Sequence, residues 1–484
     1  MRLRFLRWIL IGAAAIAGMD PAAVSAQEPS GLAAAVALEA VLVEAIAKAE
    51  KSVVAVARFR PGTAINEEKI SPDVIPDEFG SGVVIDAKGL ILTRHHVLGK
   101  IEGATYYVWV QRKPYRAKVK AADPWLDLAV LAIDASDLVP LPLGDAKDLK
   151  KGQIVIALGN PYAIARDGQP SASYGIVANL LRPAPRPPEA TGPGEGRETL
   201  HHYGNLIQTD CKLELGTSGG ALVNLKGEMV GLTTSLAALA GYEKAGGYAT
   251  PVDDAFQRAI ESLKAGRMPE YGFLGVQPEI LTAEERRDGR HGARVVHVAA
   301  GTPADKAKIQ GGVRGDVITH VNGQPVADEI DLMRQLGSRG PGDVVTLILQ
   351  RGATEVRPGR TVSTKVQLSK KRIAASRPGY AEVVAPPWRG MKVEYATASA
   401  TFASQGIALD PDGSVAVVEV AKDSAAWKAG MRPGEFVSHV GSARVTTPTE
   451  FYKAVTAETG PVVLRLTAAP PDQAERTIGE DAVP

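Results

Sequence analysis

The chain has 484 residues, 45% of them hydrophobic and 23% charged, with 55 Lys and Arg against 54 Asp and Glu and a formal net charge of +1. At roughly 150 residues per domain this is material for about three globular domains, and the balanced charge excludes an overall field that would draw the chain to nucleic acid or an anionic membrane. A single cysteine, Cys211, excludes an intramolecular disulfide, so stability must come from packing, and Cys211 itself reads as a small buried apolar side chain.

Residues 1–26 open with a basic stretch (MRLRFLR), continue with an apolar run (WILIGAAAIAG) and end on Val24-Ser25-Ala26. This is the pattern of a secretory signal peptide cleaved after Ala26; the alternative, an uncleaved membrane anchor, has an apolar core that is short for a span. On either reading the bulk of the chain is exported. Next, SGLAAAVALEAVLVEAIAKAEKSVVAVAR predicts a helix running into a first strand near Ser52 to Arg58. From there to about residue 265, short apolar runs such as SGVVID, LILTRHHVL, LDLAVLAI and GALVNL alternate with Gly, Pro, Asn and Asp. Short strands punctuated by turn residues predict a mainly β unit of about 200 residues, a sandwich or barrel. The stretch 183–198, PAPRPPEATGPGEGRE, reads as a surface loop.

Beyond residue 270 the chain repeats itself. VVHVAAGTPADKA at 295–307 aligns without a gap on VVEVAKDSAAWKA at 417–429, and ITHVNG at 318–323 echoes VSHVGS at 437–442. Two copies of a unit this long mean tandem domains and not a solenoid. The predicted organisation is a signal peptide at 1–26, a β unit with an N-terminal helix at 27–265, one repeat at 266–373, a linker at 374–387, a second repeat at 388–469 and a disordered tail at 470–484.

The chemistry centres on Ser218, in Gly216-Thr217-Ser218-Gly219-Gly220. Glycines at such a place serve an ordinary tight turn, or let backbone N–H groups converge on a developing oxyanion. A serine nucleophile needs an imidazole base and a carboxylate that orients it. Candidates stand upstream: His95 and His96, of which a strand would aim only one into a cleft, and Asp123 and Asp127 ahead of an apolar run. The order His, Asp, Ser on a β domain is that of the chymotrypsin-type double barrel.

These segments resemble the Deg/HtrA family of exported trypsin-like serine proteases. LTRHHV, DLAVL, GNPY, IQTD and GTSGGALVN stand in that family's order, and the repeats, with YGFLGV, GTPADKA, RGDVITHVNG and WRGMKV, are similar to its two C-terminal PDZ domains. The resemblance implies a chymotrypsin-like double β-barrel followed by two α+β PDZ domains. It implies His96 as base, Asp127 as orienting carboxylate, Ser218 as nucleophile, and the N–H groups of Gly216 and Ser218 as the oxyanion hole. No cofactor or metal is called for. The implied partners are unfolded polypeptide substrates and C-terminal peptides, with self-assembly as a homo-oligomer, a trimer or a multiple of it, and no nucleic acid.

A PDZ domain takes a peptide as an added strand and catches its carboxylate on backbone N–H groups. In the first repeat that loop is Phe273-Leu274-Gly275-Val276; the second repeat's Gly390-Met391-Lys392-Val393, set against it, lacks the glycine. Arg94 stands where the family has a small polar residue, and Thr217 where it has Asn. Six residues before the nucleophile, where proteases of this fold that cut after Lys or Arg carry an acid, stands Lys212, expected to snorkel to solvent. The rival function is a catalytically silent PDZ adaptor or holdase chaperone.

Overall fold

A computed structural model describes residues 31–63, 65, 75–160, 169–184, 196–235, 247–353, 359–374, 378–467 and 473–480. The signal peptide and cleavage site read at 1–26 lie outside the described residues, as does most of the loop at 183–198. Among the described residues, no helix is long and apolar enough to cross a membrane.

The Ala-rich stretch forms helix α1 (Gly31–Ala49) and leads through one 3-10 turn into β1 (Val53–Phe59), as expected. β1, β2 (Glu78–Asp86), β3 (Leu90–Thr93), β4 (Thr105–Val110), β5 (Lys113–Asp123) and β6 (Leu128–Ile133) pair in the order β5-β4-β1-β2-β3-β6, and a β5–β6 pairing closes the ring. β7 (Ile154–Gly159), β8 (Ser171–Arg182), β9 (Leu206–Thr209), β10 (Ala221–Val223), β11 (Met229–Thr234) and β12 (Gly247–Pro251) form a second closed barrel. Each barrel has its own apolar filling, Val54, Val84, Ile91 and Leu131 in the first and Val155, Ile207, Leu222 and Val230 in the second. A further cluster runs between the barrels, where Leu92, Leu128, Ile156, Leu158 and Leu232 pack with Ala45 and Ala49 of α1 and with Phe256 and Ile260 of the helix Asp254–Lys264. Fully burying side chains of this size contributes roughly 1.5–3 kcal/mol each, so the barrels are joined by a core and not by loops alone. Cys211 is buried and free.

Two further sheets follow with one topology. In the first, strands Val276–Ile280, Ala293–Val298, Val317–Val321, Val344–Arg351 and Arg360–Gln367 lie in chain order, with Gln324–Pro325 beside the third. In the second, Met391–Tyr395, Val415–Val420, Phe436–Val440, Val462–Leu466 and Glu475–Ile478 lie in chain order, with Ala443–Arg444 beside the third. The sequence repeat is therefore a repeat of fold.

Two expectations need correction. The tail expected to be disordered from residue 470 contributes Glu475–Ile478 as the last strand of the second sheet, paired with Val462–Arg465. Its period-2 pattern puts Ile478 in the core, fully buried, and leaves Glu475 and Thr477 outward. The linker at 374–387 is not a free tether either. Tyr380 and Ala381 add a strand to β5, opposite Ala122 and Ala121, and Glu382 pairs with Lys120 at 2.8 Å.

The first repeat is anchored on the turn between β5 and β6. Tyr271 donates its hydroxyl to Asp123 Oδ2 at 2.5 Å, and Trp125 donates Nε1–H to Gly337 O at 3.0 Å. Gly337 ends the helix Glu329–Gly337, and Tyr271 precedes the loop Phe273–Val276.

Candidate active site

Asp127 occupies that same turn. Its φ of +54° is in the left-handed region, which Asp tolerates better than most residues and which is common at functional sites. This conformation turns the carboxylate onto the segment after β3: Oδ1 accepts from His96 N–H at 2.9 Å, Oδ2 lies 2.7 Å from His96 Nδ1, and the Asp127 carbonyl accepts from His95 N–H at 3.2 Å. The carboxylate thus holds His96 by ring and backbone together. Burial opposes ionisation of Asp127, but the charge and hydrogen bond of His96 and the charge of Arg94 outweigh it and hold the group well below the usual carboxylate range.

His95 and His96 lie not on a strand but on a one-turn helix α2 (His95–Leu98), so helical rotation and not strand pleat separates them. His96 is in contact with Asp127, whereas His95 is buried with Nε2 3.1 Å from Pro378 O of the linker. Asp123 does not reach the imidazole. It accepts from Trp125 N–H, Leu126 N–H and the Tyr271 hydroxyl, and burial pushes it up to about 6.

Ser218 comes from the second barrel, between β9 and β10. Thr217, Gly219 and Gly220 N–H donate to the carbonyls of Glu214, Thr233 and Thr217. Gly216 and Ser218 N–H, expected from the family resemblance as the oxyanion hole, meet no carbonyl among the described residues. Gly216 has φ +95° and Gly219 φ +88°; a Cβ on Gly219 would stand 2.2 Å from Ser81 O, so the second glycine is required by the close approach of β2. The Ser218 hydroxyl is bonded to Ser235, with Oγ to Oγ at 2.7 Å and Ser235 N–H donating at 2.9 Å.

Sequence reasoning missed Ser81 and Ser235 and left the side chain of Arg94 unplaced. Ser81, on β2, donates its hydroxyl to Gly216 O (2.8 Å), accepts from Asn160 N–H (2.7 Å), and donates its own N–H to Ser218 O (2.7 Å). It stitches the nucleophile loop to the other barrel. Nothing in FGSGVV distinguishes it from a common strand serine. Arg94, fully buried, enters the second barrel, and burial brings its guanidinium down to about 10 despite the nearby Asp127. His201 is also fully buried, with Nδ1 2.9 Å from Asn205 Oδ1, and burial together with the charge of Arg94 pushes it down to about 4. Lys212 points to solvent, its side chain 77% exposed and its ammonium 2.6 Å from Glu214.

In the first repeat, Gly275 has φ +95°, and a Cβ there would stand 2.2 Å from Thr302 Oγ1. Leu274 and Gly275 give their carbonyls to Ala304 and Ala299 N–H, while their own N–H groups meet no carbonyl among the described residues. Val276 then opens an edge strand, and Phe273 packs edge-on against Phe402 of the second repeat at 6.0 Å. The second repeat has the glycine after all: Gly390, φ +78°, would clash with Ser424 as Gly275 would with Thr302, and Arg389 and Gly390 give their carbonyls to Ala426 and Ala421. The matching loop is Trp388-Arg389-Gly390-Met391, two residues upstream of the alignment read from sequence. Strand register decides this, because Val276 pairs with Val298 as Met391 pairs with Val420.

Residues 80–232 match the trypsin-like peptidase domain family and residues 272–367 the PDZ domain family. The chain is 29% identical over 422 residues to the periplasmic pH-dependent serine endoprotease DegQ of Escherichia coli (strain K12), covering 84% of this chain and 83% of that one. It is 30% identical over 378 residues to a probable periplasmic serine endoprotease, DegP-like, of Ectopseudomonas mendocina (strain ymp), covering 77% and 73%. Among solved structures it is similar to the HtrA-type protease AlgW with tripeptide, at 25% identity and a TM-score of 0.51 over 69% of this chain and 99% of that one. A double barrel with a serine, a histidine and a carboxylate at its junction, a PDZ domain behind it and relatives of this kind place the chain in the Deg/HtrA family of serine endoproteases.

Proposed function

We propose that this enzyme hydrolyses unfolded or damaged polypeptides in the periplasm by acyl-enzyme catalysis, without ATP, with His96, Asp127 and Ser218 as its triad. The observation that carries the reading is the His96–Asp127 pair at 2.7 Å on one barrel, set against a serine loop on the other whose Gly216 and Ser218 N–H groups lack carbonyl partners among the described residues. Ser218 Oγ leaves Ser235, gives its proton to His96 and attacks the scissile carbonyl. Gly216 and Ser218 N–H receive the oxyanion, and Asp127 holds the Nδ1–H tautomer and steadies the imidazolium. His96 then returns the proton to the leaving amine. Export follows from the signal peptide at residues 1–26, with cleavage after Ala26.

Both repeats are assigned as PDZ domains, the second extending to Ile478. The first captures C-terminal peptides on the Leu274 and Gly275 N–H groups, with the edge strand from Val276 receiving the peptide, and the enzyme works as a homo-oligomer, a trimer or a multiple of it. A fluorophosphonate probe tests the catalytic assignment: Ser218 is labelled in the native protein and labelling is absent in Ser218→Ala, while an unlabelled native enzyme returns the adaptor or holdase reading.

Specificity follows from Lys212. With its ammonium paired to Glu214 in solvent, that position offers no anion to a buried substrate cation, and an unpaired buried charge costs several kcal/mol. Cleavage of casein is expected mainly after Val, Ala or Leu; a majority of cuts after Arg or Lys, mapped by mass spectrometry, contradicts this.

Gly275→Val introduces a β-branched side chain at φ +95° into space held by Thr302. It is expected to weaken binding of a C-terminal peptide by at least about tenfold, the equivalent of roughly 1.4 kcal/mol, while fluorophosphonate labelling of Ser218 persists. Peptide titration by fluorescence anisotropy reads the loss, and wild-type affinity would remove this loop as the capture site.

A further inference from the structure

The geometry points to Arg94 as a positioning residue that couples the orienting carboxylate on one barrel to the nucleophile loop on the other. This rests on the triad assignment above and goes beyond it. Arg94 is the N-cap of the helix that carries His96, yet its side chain caps nothing and runs through the barrel interface, fully buried. Nε–H donates to Thr233 O at 2.9 Å, Nη1–H to Thr250 Oγ1 at 2.7 Å, and Nη2–H to Leu232 O. Nη1 also lies 3.9 Å from Asp127 Oδ2. The planar fork therefore spans two strands of the second barrel while its charge faces the carboxylate of the first.

Thr233 is the other half of the device. Its carbonyl accepts from Arg94 and also from Gly219 N–H at 3.0 Å; its N–H donates to Gly220 O at 2.9 Å; its hydroxyl donates to Thr217 O at 2.6 Å. One residue of β11 thus grips the chain on both sides of Ser218, and Arg94 grips that residue. Two residues further on, Ser235 holds the Ser218 hydroxyl itself. Between Thr233 and Ser235 stands Thr234, whose buried hydroxyl has no hydrogen-bond partner among the described residues. Alongside the bonds of Ser81, the guanidinium is a tie between the barrels beneath the triad. A buried cation at this place has two consequences: it sets where His96 stands relative to Ser218, and it moderates the field that Asp127 exerts on the imidazole. The charged and titratable groups facing Asp127 are His96, Arg94, His201 and Asp123.

Separating charge from shape tests this. Arg94→Met removes both and is expected to lower kcat for casein-derived peptides about 10- to 100-fold with KM within about twofold, because the interaction lost positions reacting groups and does not bind substrate. It should also move the acid limb of kcat/KM to higher pH, since Asp127 then acts on the imidazolium without a competing cation. Arg94→Lys keeps the charge but loses the fork; it should leave the acid limb in place and still lose several-fold in kcat. Thr250→Val removes one anchor of the fork without touching Asp127 or the triad, and should slow fluorophosphonate labelling of Ser218 several-fold. Folded Arg94→Met with wild-type kcat and an unmoved acid limb overturns the proposal; if that chain does not fold, wild-type labelling of Thr250→Val does so. Probe uptake that persists in Ser218→Ala would instead refute the triad assignment, so the two failures are distinguishable.

Discussion

His96→Ala is expected to lower turnover of casein by on the order of 10⁴- to 10⁶-fold, to the level of Ser218→Ala, and the double variant should be no worse than either single one. The neighbouring His95→Ala should cost no more than about tenfold. The contrast follows from geometry. His96 Nδ1 lies 2.7 Å from Asp127 Oδ2, whereas His95 Nε2 lies 3.1 Å from the Pro378 carbonyl of the segment that leads into the second repeat. Removing the first ring removes the base. Removing the second loses the ring's contact with the Pro378 carbonyl, a bond of a kind worth about 1 kcal/mol, and leaves in place the His95 N–H bond to the Asp127 carbonyl, which depends on backbone alone. Equal losses from both substitutions, measured as initial rates on folded enzyme, would overturn the assignment of the base.

Acid should destabilise Asp123→Asn and stabilise His201→Gln, with the parent enzyme between them. Asp123 and His201 are both buried close to Asp127, and they respond to pH with opposite sign. Burial, against hydrogen bonds from Tyr271 and the Trp125 and Leu126 N–H groups, raises Asp123 from 3.8 to about 6. Between those values the native state holds the proton more tightly than the unfolded chain, so the contribution is present in acid and lost as pH rises through about 6. Burial and the Arg94 charge lower His201 from 6.5 to about 4. There the unfolded chain takes the proton first, so stability present above 6.5 is lost as pH falls towards 4. Each titration is worth roughly 3 kcal/mol, and over the shared window the two nearly offset. Asp127, held below the usual carboxylate range, adds to acid instability only below that window. Urea midpoints at several values between pH 4 and 7 should fall with acid in Asp123→Asn and rise in His201→Gln. The same direction in both variants would remove the compensation.

The position of Asp123 makes this more than a stability matter. Tyr271 and Gly337 bond to Asp123 and Trp125, and the same short turn ends in Asp127. The residue leading into the loop and the helix of the first repeat therefore both rest on the turn that carries Asp127.

Much of this was legible in the chain itself. Period-2 apolar runs separated by glycine and proline specify strands, because alternate side chains must face a core; the order histidine, aspartate, serine could be read from the residues, while the choice of His96 over His95 and of Asp127 over Asp123 came from the family resemblance. The two repeats were legible because tandem copies keep their apolar pattern. What a linear string does not contain is which side chains cross from one barrel to the other. Ser81, Thr233 and Ser235 look like any strand serine or threonine, and their roles come from partners distant in the chain, 135 residues away in the bond from Ser81 to Gly216. Arg94 was visible as a departure from the family's small polar residue, but where its side chain goes is not legible until the second barrel is seen to supply two carbonyls and a hydroxyl to it. The same holds for the tail and the linker: Glu475–Ile478, three polar residues and one isoleucine, become a strand only because the edge of Val462–Leu466 offers unpaired N–H and carbonyl groups, and Tyr380–Ala381 because β5 does. Local pattern determined the elements and the chain order of the candidate site residues; long-range hydrogen bonding, whose partners sequence separation conceals, decided the register of the second repeat's loop, the anchoring of the first repeat and the course of the buried arginine between the barrels.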